Sequence, residues 1–190
     1  MMATQPAYPE LLLTAEQFLA IEFGSDIKAE LDNGIIRMMA GGTEAHARVQ
    51  GNIFAFLRQS LRGTGCRPYN SDMAVKTHGQ SIRYPDVAIY CSEGGKPEDR
   101  ALKAFERPAV IFEILSAGIA RTDLRVKLDE YKALPSVSTI VFVDVTHERV
   151  RIIQRSAAGG WNDLPATEPM DVPLPGIDLV IPHTEIFAVD

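Results

Sequence analysis

Cysteine is scarce in this sequence. There are two, Cys66 and Cys91, among 190 residues, and they form no CxxC pair. Zinc ribbons and iron–sulfur sites need more thiolates and are excluded. One disulfide is open to the pair, but two lone thiols fit a reducing compartment better, so the expectation is a cytoplasmic protein. Long apolar runs are missing too. None approaches the roughly 18 to 20 residues that span a bilayer, so no membrane association is expected. The start, MMATQPAYPE, lacks the basic and apolar regions of a secretory signal. Positive charge is not in excess: 19 Lys and Arg stand against 25 Asp and Glu, giving a net charge of -6. That balance weighs against a protein that coats DNA through its overall field, and leaves room for a local basic patch. Repeats, low-complexity tracts and charge blocks are absent.

What is present is enough apolar material for a core. Hydrophobic residues make up 46% and charged residues 23%. A single domain over residues 1–190 is expected, with residues 1–10 as a loose arm. Thr14 to Ile21 reads as a short helix capped by Thr14. Asp32-Asn33-Gly34 supplies the positive φ angles of a tight turn between strands at Ile27–Leu31 and Ile35–Met39. Val49, Ile53, Phe56 and Leu57 share one face of a helix from Thr43 to Leu61, ended by Arg62-Gly63-Thr64-Gly65. Strands are expected at Cys66–Val75 and Ile82–Tyr90, then a polar loop over Ser92–Arg107. Ala109–Leu115 and Thr139–Val145 are apolar on both faces and read as covered central strands. The helix between them, Thr122 to Leu134, ends at Pro135 and makes a parallel crossover unit. Arg149–Arg155 returns as a strand, and the tail from Pro165 to Pro182 wraps the domain and closes with Leu179, Ile181 and Phe187. The expected class is α/β, with a mixed central sheet flanked by helices and an N-terminal β-hairpin.

Chemistry is signalled by charges in apolar settings. Strand alternation puts Glu113 on a face with Ile111 and Leu115, where an uncompensated carboxylate costs several kcal/mol, roughly. On a helical wheel with Leu124 at zero, Leu128, Tyr131 and Leu134 fall at about 40°, 340° and 280°, and Lys127 falls among them at about 300°. Arg125, Asp129 and Glu130 read as solvated residues outside that stripe. Asp86 opens a largely apolar strand after Pro85. Each has an ordinary reading as turn residue, paired strand acid or snorkelling lysine. Together they compensate one another, and a hard divalent cation such as Mg²⁺ would complete the balance through carboxylates and phosphate oxygens. His46 lies on the apolar helical face, as a core histidine or near a site. Asp123 reads as a first-turn acid and Tyr131 as core with a satisfied hydroxyl. Gly41-Gly42-Thr43 reads as a plain loop before a helix. Ser116 lies in no nucleophile elbow. Arg58, Arg62 and Arg67 form a modest basic cluster, suited to phosphate contact or to solubility.

The ordered set resembles a known family. Its elements are Leu-Thr-Ala-Glu-Gln-Phe (13 to 18), Glu-Leu-Asp-Asn-Gly (30 to 34), a helical His46 and Pro85-Asp86. Phe-Glu-Ile-Leu-Ser (112 to 116), Asp123-x-x-x-Lys127-x-x-x-Tyr131, Val-Phe-Val-Asp (141 to 144) and Leu-Pro-Gly-Ile (174 to 177) follow. The chain resembles the Uma-two family of endonucleases in the PD-(D/E)XK superfamily. The resemblance implies a restriction-endonuclease-like core acting on DNA with Mg²⁺ or Mn²⁺. Asp86 then matches the Pro-Asp aspartate and Glu113 the second metal-binding acid. The superfamily usually places its lysine two residues after that acid, where this chain has Leu115; Lys127 matches the lysine supplied from the following helix. Glu30 matches an upstream acid, and His46 is a further candidate near the site. The expected function is metal-dependent hydrolysis of DNA phosphodiester bonds, and a homodimer would suit the two strands of a duplex. The rival readings are a non-catalytic descendant that binds nucleic acid or a protein, and a metal-dependent hydrolase of another phosphate ester.

Overall fold

The computed structural model describes residues 12–24, 27–39, 41–92, 101–115, 121–165 and 167–189. The expected arm at 1–10, Ser116 and residues 93–100 of the expected loop lie outside them. Helix α1 (Ala15–Leu19) starts where Thr14 accepts from the Gln17 N–H and the Gln17 side chain answers the Thr14 N–H, a reciprocal cap. The hairpin β1 (Ala29–Asp32) and β2 (Ile35–Met38) follows, and its turn residues Asn33 and Gly34 take φ of 48° and 84°. Helix α2 (Glu44–Ser60) is capped by the Thr43 side chain and buries Val49, Ile53 and Leu57.

Two expected strands are each broken in two. Cys66–Val75 becomes β3 (Cys66–Asn70) and β4 (Ala74–His78), because Asn70 caps a tight turn by accepting from the Asp72 N–H. Ile82–Tyr90 becomes β5 (Ser81–Arg83) and β6 (Val87–Cys91). Pro85 has no N–H to give a ladder, and the Tyr84 N–H donates to the Glu30 carboxylate instead. Within the expected loop, Ala104–Phe105 forms a short strand, β7, parallel to β4. Then come β8 (Val110–Leu115), α3 (Arg121–Ala133), β9 (Thr139–Asp144), β10 (Arg149–Arg155) and β11 (Trp161–Pro165). The tail supplies β12 (Val172–Leu174), β13 (Leu179–Ile181) and α4 (His183–Ile186).

The breaks have a topological consequence. In place of one central sheet the chain builds two larger mixed sheets, β2-β1-β5-β4-β7 and β11-β10-β9-β8-β6-β3, with β12 and β13 as a separate pair. In the six-stranded sheet only β8 and β9 run parallel, with α3 as their connection. Both faces of these two strands are covered, as their composition requires. Val110, Phe112, Ile114, Val141 and Val143 pack under α2 and the tail. Ile111, Ile140 and Phe142 pack on the other side with Leu128 and Tyr131 of α3 and with Leu134 just beyond it. The five-stranded sheet has its own small core with Phe18 of α1. The tail closes as expected, with Ile181 and Phe187 buried. The cysteines are not two lone thiols: Cys66 faces Cys91 across β3 and β6 and the two are bridged. No helix among the described residues is long and apolar enough to cross a membrane.

Candidate active site

The five candidate residues, four from β1, α2, β8 and α3 and Asp86 from the link between β5 and β6, gather where the two sheets and α3 meet. Val87 pairs with Phe112, so Asp86 stands across from Glu113 at the end of β8. The Asp86 carboxylate accepts from the Ile114 N–H at 2.6 Å through Oδ2, and Oδ1 lies 3.2 Å from His46 Nε2. Gln50 donates to the Asp86 carbonyl, so α2 holds this corner through two side chains. Glycine is needed just before α2, since a Cβ on Gly42 would lie 2.9 Å from His46 Nδ1. The hydrogen bond to Asp86 raises the His46 pKa against the effect of burial, with the Asp86 and Glu113 charges adding to it.

Glu113 is buried, and its Oε1 accepts from the Tyr131 hydroxyl at 2.6 Å. Burial pushes its pKa up to about 7; the Lys127 ammonium opposes this, while the Asp86 and Glu30 carboxylates push the same way. Lys127 points inward. Its Nζ lies 3.1 Å from Glu30 Oε1 and 3.8 Å from Glu113 Oε1, with its side chain 13% exposed. Burial works against its charge, but Glu113 and Glu30 overcome that and raise its pKa.

Glu30 is buried on β1, not turned to solvent. It belongs to a network that the sequence reading missed. Arg83 of β5, 1% exposed, donates from Nε and Nη2 to both oxygens of Glu130 at 2.8 and 2.7 Å. Its Nη2 also reaches Asp32 at 2.8 Å, and its Nη1 lies 3.5 Å from Glu30 Oε2. Thr77 donates to Glu130 as well. Glu130, expected in solvent, is therefore buried between α3 and the five-stranded sheet. The wheel held a signal for it, since Glu130 falls only about 40° from Leu134. Arg83 carried none beyond standing two residues before Pro85. Arg125, Asp129 and Asp123 are exposed, as expected.

The donor set suits a hard divalent cation bound through few protein ligands. Asp86 and Glu113 offer carboxylate oxygens, and among the described residues nothing donates to Glu113 Oε2. Burial disfavours the Glu113 charge most, and the Asp86 and Glu30 carboxylates add to that; a bound cation would offset both. Among the described residues no three His, Cys, Asp or Glu side chains converge as a metal cage. Mg²⁺ does not need one, because it keeps several waters and binds through one or two carboxylates plus phosphate oxygens.

The architecture matches a crystal structure of a "putative nuclease belonging to DUF820" from Anabaena variabilis, with a TM-score of 0.72, 18% identity, and coverage of 93% of this chain and 98% of that one. That likeness is one of fold. The chain itself belongs to the Uma2 family, described as "Putative restriction endonuclease", whose profile matches residues 15–181. Two uncharacterized proteins of Synechocystis sp. are similar over most of their length. Protein slr1290 is 26% identical over 163 residues, covering 85% of this chain and 84% of its own. Protein sll1609 is 28% identical over 151 residues, covering 79% and 85%.

Proposed function

We propose that this protein is a divalent-metal-dependent endonuclease, built on a restriction-endonuclease-like core, that hydrolyses DNA phosphodiester bonds. Asp86 and Glu113 would hold Mg²⁺ or Mn²⁺. The observation that carries the reading is the inward-pointing, part-buried Lys127 ammonium, drawn toward Glu113 and Glu30, with a third acid, Asp86, across the sheet from Glu113. A divalent ion bound there supplies Lewis acidity toward a phosphoryl oxygen and makes water a stronger nucleophile. The chain's own groups do the remaining work. Tyr131 and the Ile114 N–H fix the two carboxylates in place. Lys127, kept protonated by its acidic neighbours, orients the attacking water or offsets charge that develops on the phosphate. Glu30 restrains the lysine, and His46 holds a proton against Asp86. DNA as substrate draws its support from the family's description as an endonuclease.

The test is plasmid incubated with Mg²⁺ or Mn²⁺, with and without chelator. Chelator-sensitive nicking is expected, abolished by Asp86→Ala and Glu113→Ala and strongly reduced by Lys127→Ala. Cleavage unchanged in all three variants rejects the site. A second reading, a non-catalytic relative that binds nucleic acid or protein, is favoured by the acidic balance of the chain, with a net charge of -6. Metal-independent DNA or protein binding without any cleavage would select it.

A further inference from the structure

The far end of α2 carries a feature that the hydrolytic site does not use. A cleft of about 790 Å³ lies beside its last turn and the start of β3. Arg58, Arg62 and Arg67 line it, and no acidic residue does. All three arginines are exposed, and among the described residues none forms an ion pair. Several other cations of this acidic molecule are matched, among them Lys28 with Asp72, Lys76 with Glu16 and Arg151 with Asp163. The C-terminus of α2 gives Arg58 and Arg62 a dipole to offset. Arg67 comes from β3 and owes nothing to that helix.

The outward face of α2 that leads into this cleft is smooth. On the α2 wheel Ala47, Gly51, Ala55, Arg58 and Arg62 fall within about 80° of one another. All five are exposed, and a Cβ on Gly51 would meet nothing within 4 Å. The stripe lies on the outward side of α2, turned away from the side on which His46 reaches Asp86, and it ends in the cleft. At 1.5 Å per residue its length is about 20 Å, or about six base-pair steps of a duplex.

We infer that this stripe and cleft form a track for a nucleic-acid backbone: small side chains let the duplex lie close to α2, and the three guanidinium groups hold its phosphates on a surface apart from the hydrolytic site. The inference rests on the nucleic-acid part of the proposed function, but it concerns binding and not chemistry. Arginine suits the task because its planar fork matches two phosphate oxygens at once.

The experiment is fluorescence polarisation of a short labelled DNA duplex in chelator, between about 50 and 200 mM salt. The full chain is compared with the Arg58→Ala/Arg62→Ala/Arg67→Ala variant and with Ala55→Glu. The triple variant should bind at least about tenfold more weakly at low salt, with a salt slope shallower by about 2 to 3, since each phosphate contact contributes about 0.9. Ala55→Glu should weaken binding several-fold. An unchanged unfolding midpoint shows that these surface variants are folded. Absent binding by the wild-type chain, or wild-type behaviour of either variant, overturns the track. An RNA duplex bound more tightly than the DNA overturns the choice of DNA. Because no metal is present, the readout is independent of the hydrolytic site. Tight, arginine-dependent binding by a chain that never cleaves would uphold the track and reject the nuclease.

Discussion

Lys127 and Glu130 stand three residues apart on α3, and both face inward. The wheel singles out Lys127 because it interrupts a stripe of leucines and a tyrosine. Glu130 sits at the edge of that stripe, where a glutamate is ordinarily solvated, and Arg83 and Thr77 on distant strands make its burial tolerable. Removing either charge should have a different result. Lys127→Met keeps the length of the side chain and loses the ammonium, so cleavage should fall by about a hundredfold or more, read from initial rates on plasmid. Lys127→Arg should recover little, because a guanidinium is larger and differently shaped. Arg83→Met takes the bidentate guanidinium partner from the buried Glu130 and one cationic partner each from Glu30 and Asp32. The expected loss is about 3 to 5 kcal/mol by urea denaturation, with part recovered in Arg83→Met/Glu130→Leu. Asp32 adds a pH dependence of known sign. Burial raises its pKa, but the hydrogen bond and charge of Arg83 outweigh this and hold it below the usual 3.8. Its contribution is therefore complete above that value and lost as pH falls through the lower folded value, so the acid-unfolding midpoint should shift upward in Asp32→Asn.

At the level of elements, the helices and the hairpin follow local rules. Thr14 and Thr43 act as caps, Asn33-Gly34 turns the hairpin, and the stripe of Val49, Ile53 and Leu57 sets the buried face of α2. Thr43→Ala should cost about 1 kcal/mol in denaturant unfolding, since the His46 N–H loses its acceptor. The strands are less local. Cys66–Val75 and Ile82–Tyr90 each look continuous by composition. Yet each feeds two sheets, because Asn70 and Asp72 close a turn in one and Pro85 withholds a ladder bond in the other. β7 was hidden for a related reason: two residues pairing in parallel with β4 leave no periodicity to read.

At the scale of the whole molecule, the candidate site exists only where the sheets converge. Mg²⁺ or Mn²⁺ should raise the thermal midpoint of the wild-type chain and leave Asp86→Ala and Glu113→Ala unmoved. At a hundredfold excess over Kd the linkage is worth about 2.7 kcal/mol. The order of residues by itself determined the α/β class, the covered pair β8 and β9, the helix between them, and three misplaced charges at 86, 113 and 127. Those are consequences of alternation and of 3.6-residue periodicity, which a chain carries with it before it folds. Tertiary structure alone decided that, among the described residues, the expected central sheet is divided into two larger sheets and that the cysteines meet. It also decided that Arg83, Glu130 and Glu30 lock the hairpin to α3 beside Lys127. The reason is separation along the chain. Pairing between residues about fifty or a hundred positions apart depends on where strands are laid side by side, and no local preference encodes that.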